Sequence, residues 1–204
     1  MFNPYSQLLF PRLMDAAMSG EALGSHRRSL LADVTGETLE IGFGTGLNLP
    51  HYPKTLTHLI AIDSNSGMKT LAEKRIAASG IAVDRRTLSG ESLPMDDDSF
   101  DSVVSTWTLC SIAGIERAIA EVHRVLKPGG KFFFIEHGLS RNSRIQPWQK
   151  RLTPIQRILG DGCHLDRNIR HFVEAQFTQL QLEEFPEPSL PEVMGYFYKG
   201  FATK

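Results

Sequence analysis

At 204 residues the chain is long enough for one compact domain that needs neither a disulfide nor a metal to hold its core, and 41% apolar with 22% charged residues excludes the disordered and fibrous classes. Twenty-two basic against 23 acidic residues leave a net charge of −1, so no global positive field draws the chain onto a nucleic-acid backbone, and nucleic acid is not an expected partner. The two cysteines, Cys110 and Cys163, match neither a disulfide scaffold nor a zinc spacing, so no metal is expected and a reducing, cytoplasmic setting fits best.

Residues 1–34 carry helical spacing, with Leu8, Leu9, Leu13 and Ala17 recurring and Pro11 and Gly20 as punctuation, which predicts two short helices forming an N-terminal cap. The stretch has no basic n-region, Pro11 and Arg12 interrupt its apolar run, and no later run nears the roughly 18 apolar residues of a bilayer span. No transmembrane segment is expected, which leaves only peripheral membrane contact open. Short apolar runs then alternate with helices: Leu39 to Phe43, Leu59 to Asp63, Val83 to Leu88, Phe100 to Thr106 and Phe132 to Glu136. That alternation predicts βαβ units and an α/β fold with a mostly parallel sheet. Between the runs, residues 67–79 place Met68, Leu71, Ala72 and Ile76 on one helical face, with Asn65 or Ser66 as the cap. Ile115, Ala118, Ile119, Val122, Val125 and Leu126 mark a further helix, stopped by Lys127-Pro128-Gly129-Gly130. Phe177 to Phe185 and Tyr196 to Ala202 alternate like an antiparallel pair at one edge. Nothing in the pattern divides the chain, so a single domain is expected: the cap over 1–34, a core over 35–140, and a lid with the terminal strands over 141–204.

The stretch LEIGFGTGLNLP is the most informative, because Glu40 is followed by Gly42, Gly44 and Gly46 directly after the first strand. Glycines there let the backbone turn sharply and approach a ligand closely. A dinucleotide fingerprint needs GxGxxG, but Leu47 stands at its third glycine position, and the Gly-Lys-Ser/Thr ending of a P-loop is missing. Glu40 would repel a phosphate and suits an ammonium group. Asp63 ends the second strand 21 residues after Gly42, where a carboxylate accepts the hydroxyls of a ribose. Ser64 follows it, and Gly90, Glu91 and Ser92 lie in a loop after the third strand on the same rim. An amino group near Glu40, a ribose at Asp63 and a base near Gly90 to Ser92 describe an amino-acid nucleoside without phosphates, which is S-adenosylmethionine.

Four segments are similar in order and spacing to the successive motifs of class I S-adenosylmethionine-dependent methyltransferases: the ExGxGxG loop, the IDS end of strand two, ESLP with SFDSVVS, and HRVLKPGGKFFFIEH. Within that class Thr106-Trp107-Thr108-Leu109-Cys110-Ser111, Glu136-His137, Trp148-Gln149 and Asp161-Gly162-Cys163 resemble the methyltransferase-like group that contains alkyl-thiol methyltransferases. The resemblance implies a Rossmann-like sheet of about seven strands under the N-terminal helical cap, with S-adenosylmethionine as cofactor. It also implies methyl transfer to a small, rather apolar acceptor: a thiol first, a phospholipid amine or quinone precursor as alternatives. A binding protein that uses the cofactor as a signal or structural ligand is the non-enzymatic alternative. Vertebrate members carry an apolar anchor ahead of the fold that this sequence does not match, so membrane residence is not expected to carry over. Ser89 stands where quinone-biosynthesis relatives have Asp, which directs the adenine contact to Glu91 or to backbone groups.

The cofactor-binding set is therefore Glu40, Gly42, Gly44, Gly46, Asp63, Ser64, Gly90, Glu91, Ser92, Thr106 and Trp107. His137 after strand five and Asp161 in the lid are the candidate bases, and the N-terminal helices with the segment from Trp148 to Asp166 are expected to form the acceptor pocket. Asp96-Asp97-Asp98 reads as a solvated turn rather than a metal site. Arg141, Arg144, Lys150, Arg151 and Arg157 read as a solvated face, with a lipid headgroup surface as the alternative.

Overall fold

Apolar side chains at alternate strand positions need cover on both faces of a sheet, and the helices between the strands supply it. The computed structural model describes residues 3–204; Met1 and Phe2, the first positions of the expected cap, lie outside the described residues. A single π-helical turn, Tyr5–Leu9, leads into α1 (Phe10–Met18) and α2 (Glu21–Leu31). The strands are β1 (Thr38–Ile41), β2 (His58–Asp63), β3 (Ala82–Thr87), β4 (Phe100–Thr106), β5 (Leu126–His137), β6 (Gln179–Pro186) and β7 (Tyr196–Thr203). Between them lie α3 (Lys69–Ser79), α4 (Ile115–Val125), α5 (Gln146–Leu159) and α6 (Ile169–Glu174).

The seven strands form one sheet in the order β3-β2-β1-β4-β5-β7-β6. β1 to β5 run parallel, while β7 pairs antiparallel with both β5 and β6. This is the Rossmann-like class I methyltransferase arrangement that the motifs implied. Successive β5 residues divide between two cores: Phe132 and Phe134 join Ile119 and Val122 of α4, whereas Phe133 and Ile135 join Leu30 and Leu31 of α2. Burying such side chains contributes roughly 1.5–3 kcal/mol each.

The stop expected at Lys127 to Gly130 is drawn into the start of β5. Leu126 pairs with Phe100 before the register shifts, and the backbone groups of Gly129 and Gly130 bond Lys204 at the end of the chain. The acidic turn is partly paired, Asp97 with Arg124 and Asp98 with Lys204, each at 2.7 Å.

Strand order reverses between β1 and β4: β2 and β3 extend to one side and β5 to the other, opening a crevice at the carboxyl ends of β1 and β4. The N-terminal segment closes over that crevice through the turn after β2. Asn65 Nδ2 donates to the Ser6 carbonyl at 2.9 Å and Ser66 Oγ to Gln7 Oε1 at 2.8 Å. A side chain at Gly67 would collide with the Gln7 backbone, so only glycine permits this docking. Gly67→Val is therefore expected to release the N-terminal segment while leaving the sheet intact. Limited proteolysis read by mass spectrometry should show rapid cleavage before α2, with global unfolding shifted by less than about 1 kcal/mol; unchanged protection would contradict the docking.

Candidate active site

The loop after β1 turns on Gly42, Gly44 and Gly46, whose φ values of +76°, +56° and +81° are costly for residues with a Cβ. A side chain at Gly42 would collide with Thr108, so the loop packs directly on the exit of β4. The Gly44 N–H donates to Asp63 Oδ2 at 2.7 Å and the Asn65 N–H to Asp63 Oδ1 at 2.7 Å, which ties the ends of β1 and β2 together. Burial raises the Asp63 pKa against the lowering effect of those two donors. Glu40 is buried, and both of its oxygens are engaged: Asn48 Nδ2 donates to one at 2.9 Å and the Tyr52 hydroxyl to the other at 2.7 Å. Burial pushes this carboxyl up to about 7.

Glu136 at the end of β5 is fully buried and organises the exit of β4. Its Oε1 accepts from Ser105 Oγ at 3.0 Å and from the Thr108 and Leu109 N–H groups at 2.9 Å, and its Oε2 accepts from the Cys110 N–H at 3.4 Å. The chain reaches those positions through Trp107, held at φ +50°. The indole Nε1 of Trp107 is buried with no partner, and the Arg27 guanidinium from α2 lies 4.6 Å from the ring centroid. Arg27 donates to the Met18 carbonyl at 2.8 Å, while its Nε is likewise buried and unpartnered. Burial brings its pKa down to about 10, so it stays a cation at neutral pH.

These groups face one cavity of about 460 Å3, within the usual size of a small-molecule site. Glu40, Gly42, Gly44, Asp63, Ser64, Gly90, Glu91, Thr106, Trp107, His137 and Asp161 line it. Gly46 and Ser92 do not: Gly46 packs on Phe43 and Leu49. Glu91 is already bonded to Arg117 and to the Gly114 N–H. Asp161 accepts from Ser6 Oγ at 2.8 Å and from Asn65 Nδ2 at 3.2 Å, a closure between cap and lid. The cap contributes Phe10, Met14 and Met18 to the wall, and the segment after Trp148 contributes Gln156, Cys163 and Leu165.

His137 Nε2 lies 2.9 Å from Cys163 Sγ. The Cys110 thiol, next to Cys163, and the His137 imidazole both hold the Cys163 thiol well below its usual range. Sequence reasoning missed this cluster, since its members stand 27 and 26 residues apart with no motif between them. It also missed Arg27, whose one signal was an arginine among apolar positions of the expected cap.

Seven strands in this order, a glycine loop under Asp63 and unsatisfied donors across the cavity define a class I S-adenosylmethionine-dependent methyltransferase. The family model for the methyltransferase domain matches residues 39–134. Thiol S-methyltransferase TMT1B of Rattus norvegicus is 35% identical over all of this chain and 89% of its own length. Thiol S-methyltransferase TMT1A of Homo sapiens is 36% identical over 81% of this chain and 70% of its own. A methyltransferase structure from Thermotoga maritima superposes with a TM-score of 0.61 at 21% identity, covering 96% of this chain and 98% of that one, a likeness of fold. The chain belongs to the S-adenosylmethionine-dependent methyltransferases and is a homologue of the thiol S-methyltransferases. Among the described residues no helix is long and apolar enough to cross a membrane.

Two carboxyls carry predictions. In Glu136→Gln the amide NH2 confronts backbone N–H donors in a buried site, so urea denaturation should report a loss of about 2–4 kcal/mol; wild-type stability would remove Glu136 as the organiser of the loop. Glu40, raised from 4.5 to about 7, keeps a proton in the folded state that the unfolded chain has released. Its contribution is thus present below about 4.5 and lost as pH rises through 7. Glu40→Gln should remove that slope, gaining on wild type by at most roughly 3 kcal/mol between pH 5 and pH 8 in paired denaturation curves. Parallel pH profiles would contradict it.

Proposed function

We propose that the enzyme methylates a small, rather apolar thiol. The observation that carries this reading is that one cavity joins the cofactor rim to an apolar wall of Phe10, Met14, Met18 and Leu165, and to the His137–Cys163 pair. The names of the thiol S-methyltransferase relatives support the same acceptor class.

The residues present fit the cofactor. Arg27 Nε and Trp107 Nε1 are two buried donors with no protein partner, suited to a carboxylate at the amino-acid end. Nothing stands within 3.4 Å of where a side chain at Gly44 would sit, leaving the loop backbone open to a close approach. Asp63, with lone pairs beyond its two backbone bonds, would accept from the ribose. The backbone of Gly90 and the apolar Leu88 and Ile112 would receive the base, while Glu91 shapes that loop through Arg117. The electrostatics of Glu40 suit the ammonium, although its direct work is to hold Asn48 and Tyr52 beneath the loop.

Bound S-adenosylmethionine supplies a methyl group already activated on a sulfonium. What the chain must add is alignment, exclusion of water and an ionised acceptor. The cap, held through Ser6, Asn65 and Asp161, excludes water. Asp161 is thereby a positioning residue, and His137 with Cys163 forms the proton-accepting end of the cavity. A thiol needs that help least, since a few per cent is already thiolate at neutral pH. The phospholipid-amine alternative draws on exposed Leu9, Leu13, Ile155 and Ile158 on α5 and the N-terminal helical segment, beside Arg151 and Arg157.

Calorimetry with S-adenosylhomocysteine should show binding that Asp63→Ala weakens by at least about 100-fold, the scale of a lost pair of charge-assisted hydrogen bonds. Arg27→Met should weaken it about 10–100-fold at nearly unchanged stability, because Arg27 is a desolvated cation whose Nε bonds nothing in the protein. Transfer of labelled methyl to thiols, amines, phenols and lipids should favour thiols; activity on amines alone would overturn the acceptor class.

A further inference from the structure

Cys110, His137 and Cys163 each bring one ligand-type atom to the same place, all within 4.8 Å of one another. They come from three separate elements: the exit of β4, the end of β5 and the turn after α5. Both cysteines are free thiols, and all three residues line the cavity that holds the cofactor rim. We propose that this cluster is a binding site for a thiophilic divalent ion, Zn2+ foremost, whose remaining coordination position opens into the cavity and takes the sulfur of the acceptor. The acceptor's role rests on the thiol reading above; the ion site does not.

The donor set argues for the ion. Two thiolates and an imidazole suit zinc, and three protein ligands with one open position is the arrangement of a catalytic rather than a structural zinc site. Zinc holds sulfur at about 2.3 Å and nitrogen at 2.0–2.1 Å. Tetrahedral ligand atoms then lie roughly 3.5–3.8 Å apart, so shifts of about an ångström convert the cluster into a coordination shell.

The ligands are also braced, as metal ligands generally are. The backbone N–H of Cys110 donates to Glu136, and Ser111 Oγ lies 3.6 Å from its sulfur. Gln156 Nε2 donates to Cys163 Sγ at 3.5 Å. His137 is fixed by the pairing of β5 with β7, opposite Phe197. Arg167, bonded to the Leu109 carbonyl, brings positive charge to the edge of the cluster. With two thiolates the Zn2+ site is neutral, and a third, from the acceptor, makes it an anion that this guanidinium balances.

With the ion bound, His137 and Cys163 are ligands rather than a proton-accepting pair, and coordination takes over the ionisation of the acceptor. When an acceptor R–SH binds, its S–H bond breaks and a Zn–S bond forms. The proton leaves to solvent, and the sulfur is held as a thiolate on the cofactor side of the cavity. No oxidation or reduction is involved.

The test titrates Co2+, then Zn2+, into the full chain kept reduced with a phosphine. Expected is one cobalt per chain, with the d–d bands of a tetrahedral site and a thiolate-to-cobalt charge-transfer band, all displaced by Zn2+. Addition of thiophenol should perturb the bands. Cys163→Ser and Cys110→Ser should lose the charge-transfer intensity and bind at least about 100-fold more weakly, more than the 10–100-fold typical of losing an outer partner. Calorimetry with S-adenosylhomocysteine on the same variants verifies their fold, and the wild-type titration stands without them. Absence of these bands in wild type, or bands unchanged in both serine variants, overturns the site. Thiol methylation that persists through zinc chelation overturns the ion's role in catalysis while sparing the thiol reading. Cobalt bands in an enzyme that methylates only amines uphold the ion site and overturn the thiol reading.

Discussion

A buried carboxylate that must find donors governs how this site is built. Glu136 sits where β5 ends, out of reach of solvent, and leaving it unpaired would cost several kcal/mol. It is satisfied by bending the chain after β4 back over itself, so that Ser105, Thr108, Leu109 and Cys110 all donate to it. That bend throws Trp107 into a positive-φ conformation and brings its indole to the cavity wall. It sets Thr108 against Gly42, which leaves that position no room for a side chain, and it delivers Cys110 to His137 and Cys163. The cofactor loop, the cavity wall and the thiol cluster are thus three consequences of one electrostatic requirement.

The cap completes what the sheet leaves open. Arg27 enters the cavity from α2, lies over the Trp107 ring, and is held by the Met18 carbonyl. A guanidinium Nε and an indole N–H placed there without protein partners are destabilising unless a ligand supplies acceptors, so stability is traded for preorganisation. On the other side of the loop, Arg75 bonds Asp15 of α1 at 2.7 Å and the Thr45 carbonyl at 3.0 Å, and Thr45 Oγ1 donates to Asp15 at 2.6 Å. Cap, glycine loop and α3 are therefore tied together by one partly buried ion pair and its hydrogen bonds. Where the cap meets the lid, Ser6 and Asp161 hold the two together.

By itself the sequence determined the sheet, the position of the glycine loop and the acid at the end of β2, because each rests on short-range physics. Alternating apolar residues pair as strands, glycines permit positive φ, and an acid at a strand end near the loop meets its amides. Even so, it drew the helix stop at Lys127 to Gly130 as a plain turn, because the partners of that backbone are at Lys204, far along the chain. It assigned Glu40 to the ligand, and Glu40 does line the cavity, but no spacing showed that Asn48 and Tyr52 would bond both of its oxygens. Only the tertiary structure decided which side chains complete the cavity. Trp107 and His137 were legible from their places after β4 and β5, but Arg27 and the meeting of Cys110 and Cys163 with His137 carry no periodicity or spacing that marks them; three elements distant in the chain must first be brought together at the rim by the pairing of β4 with β5 and the folding back of the lid.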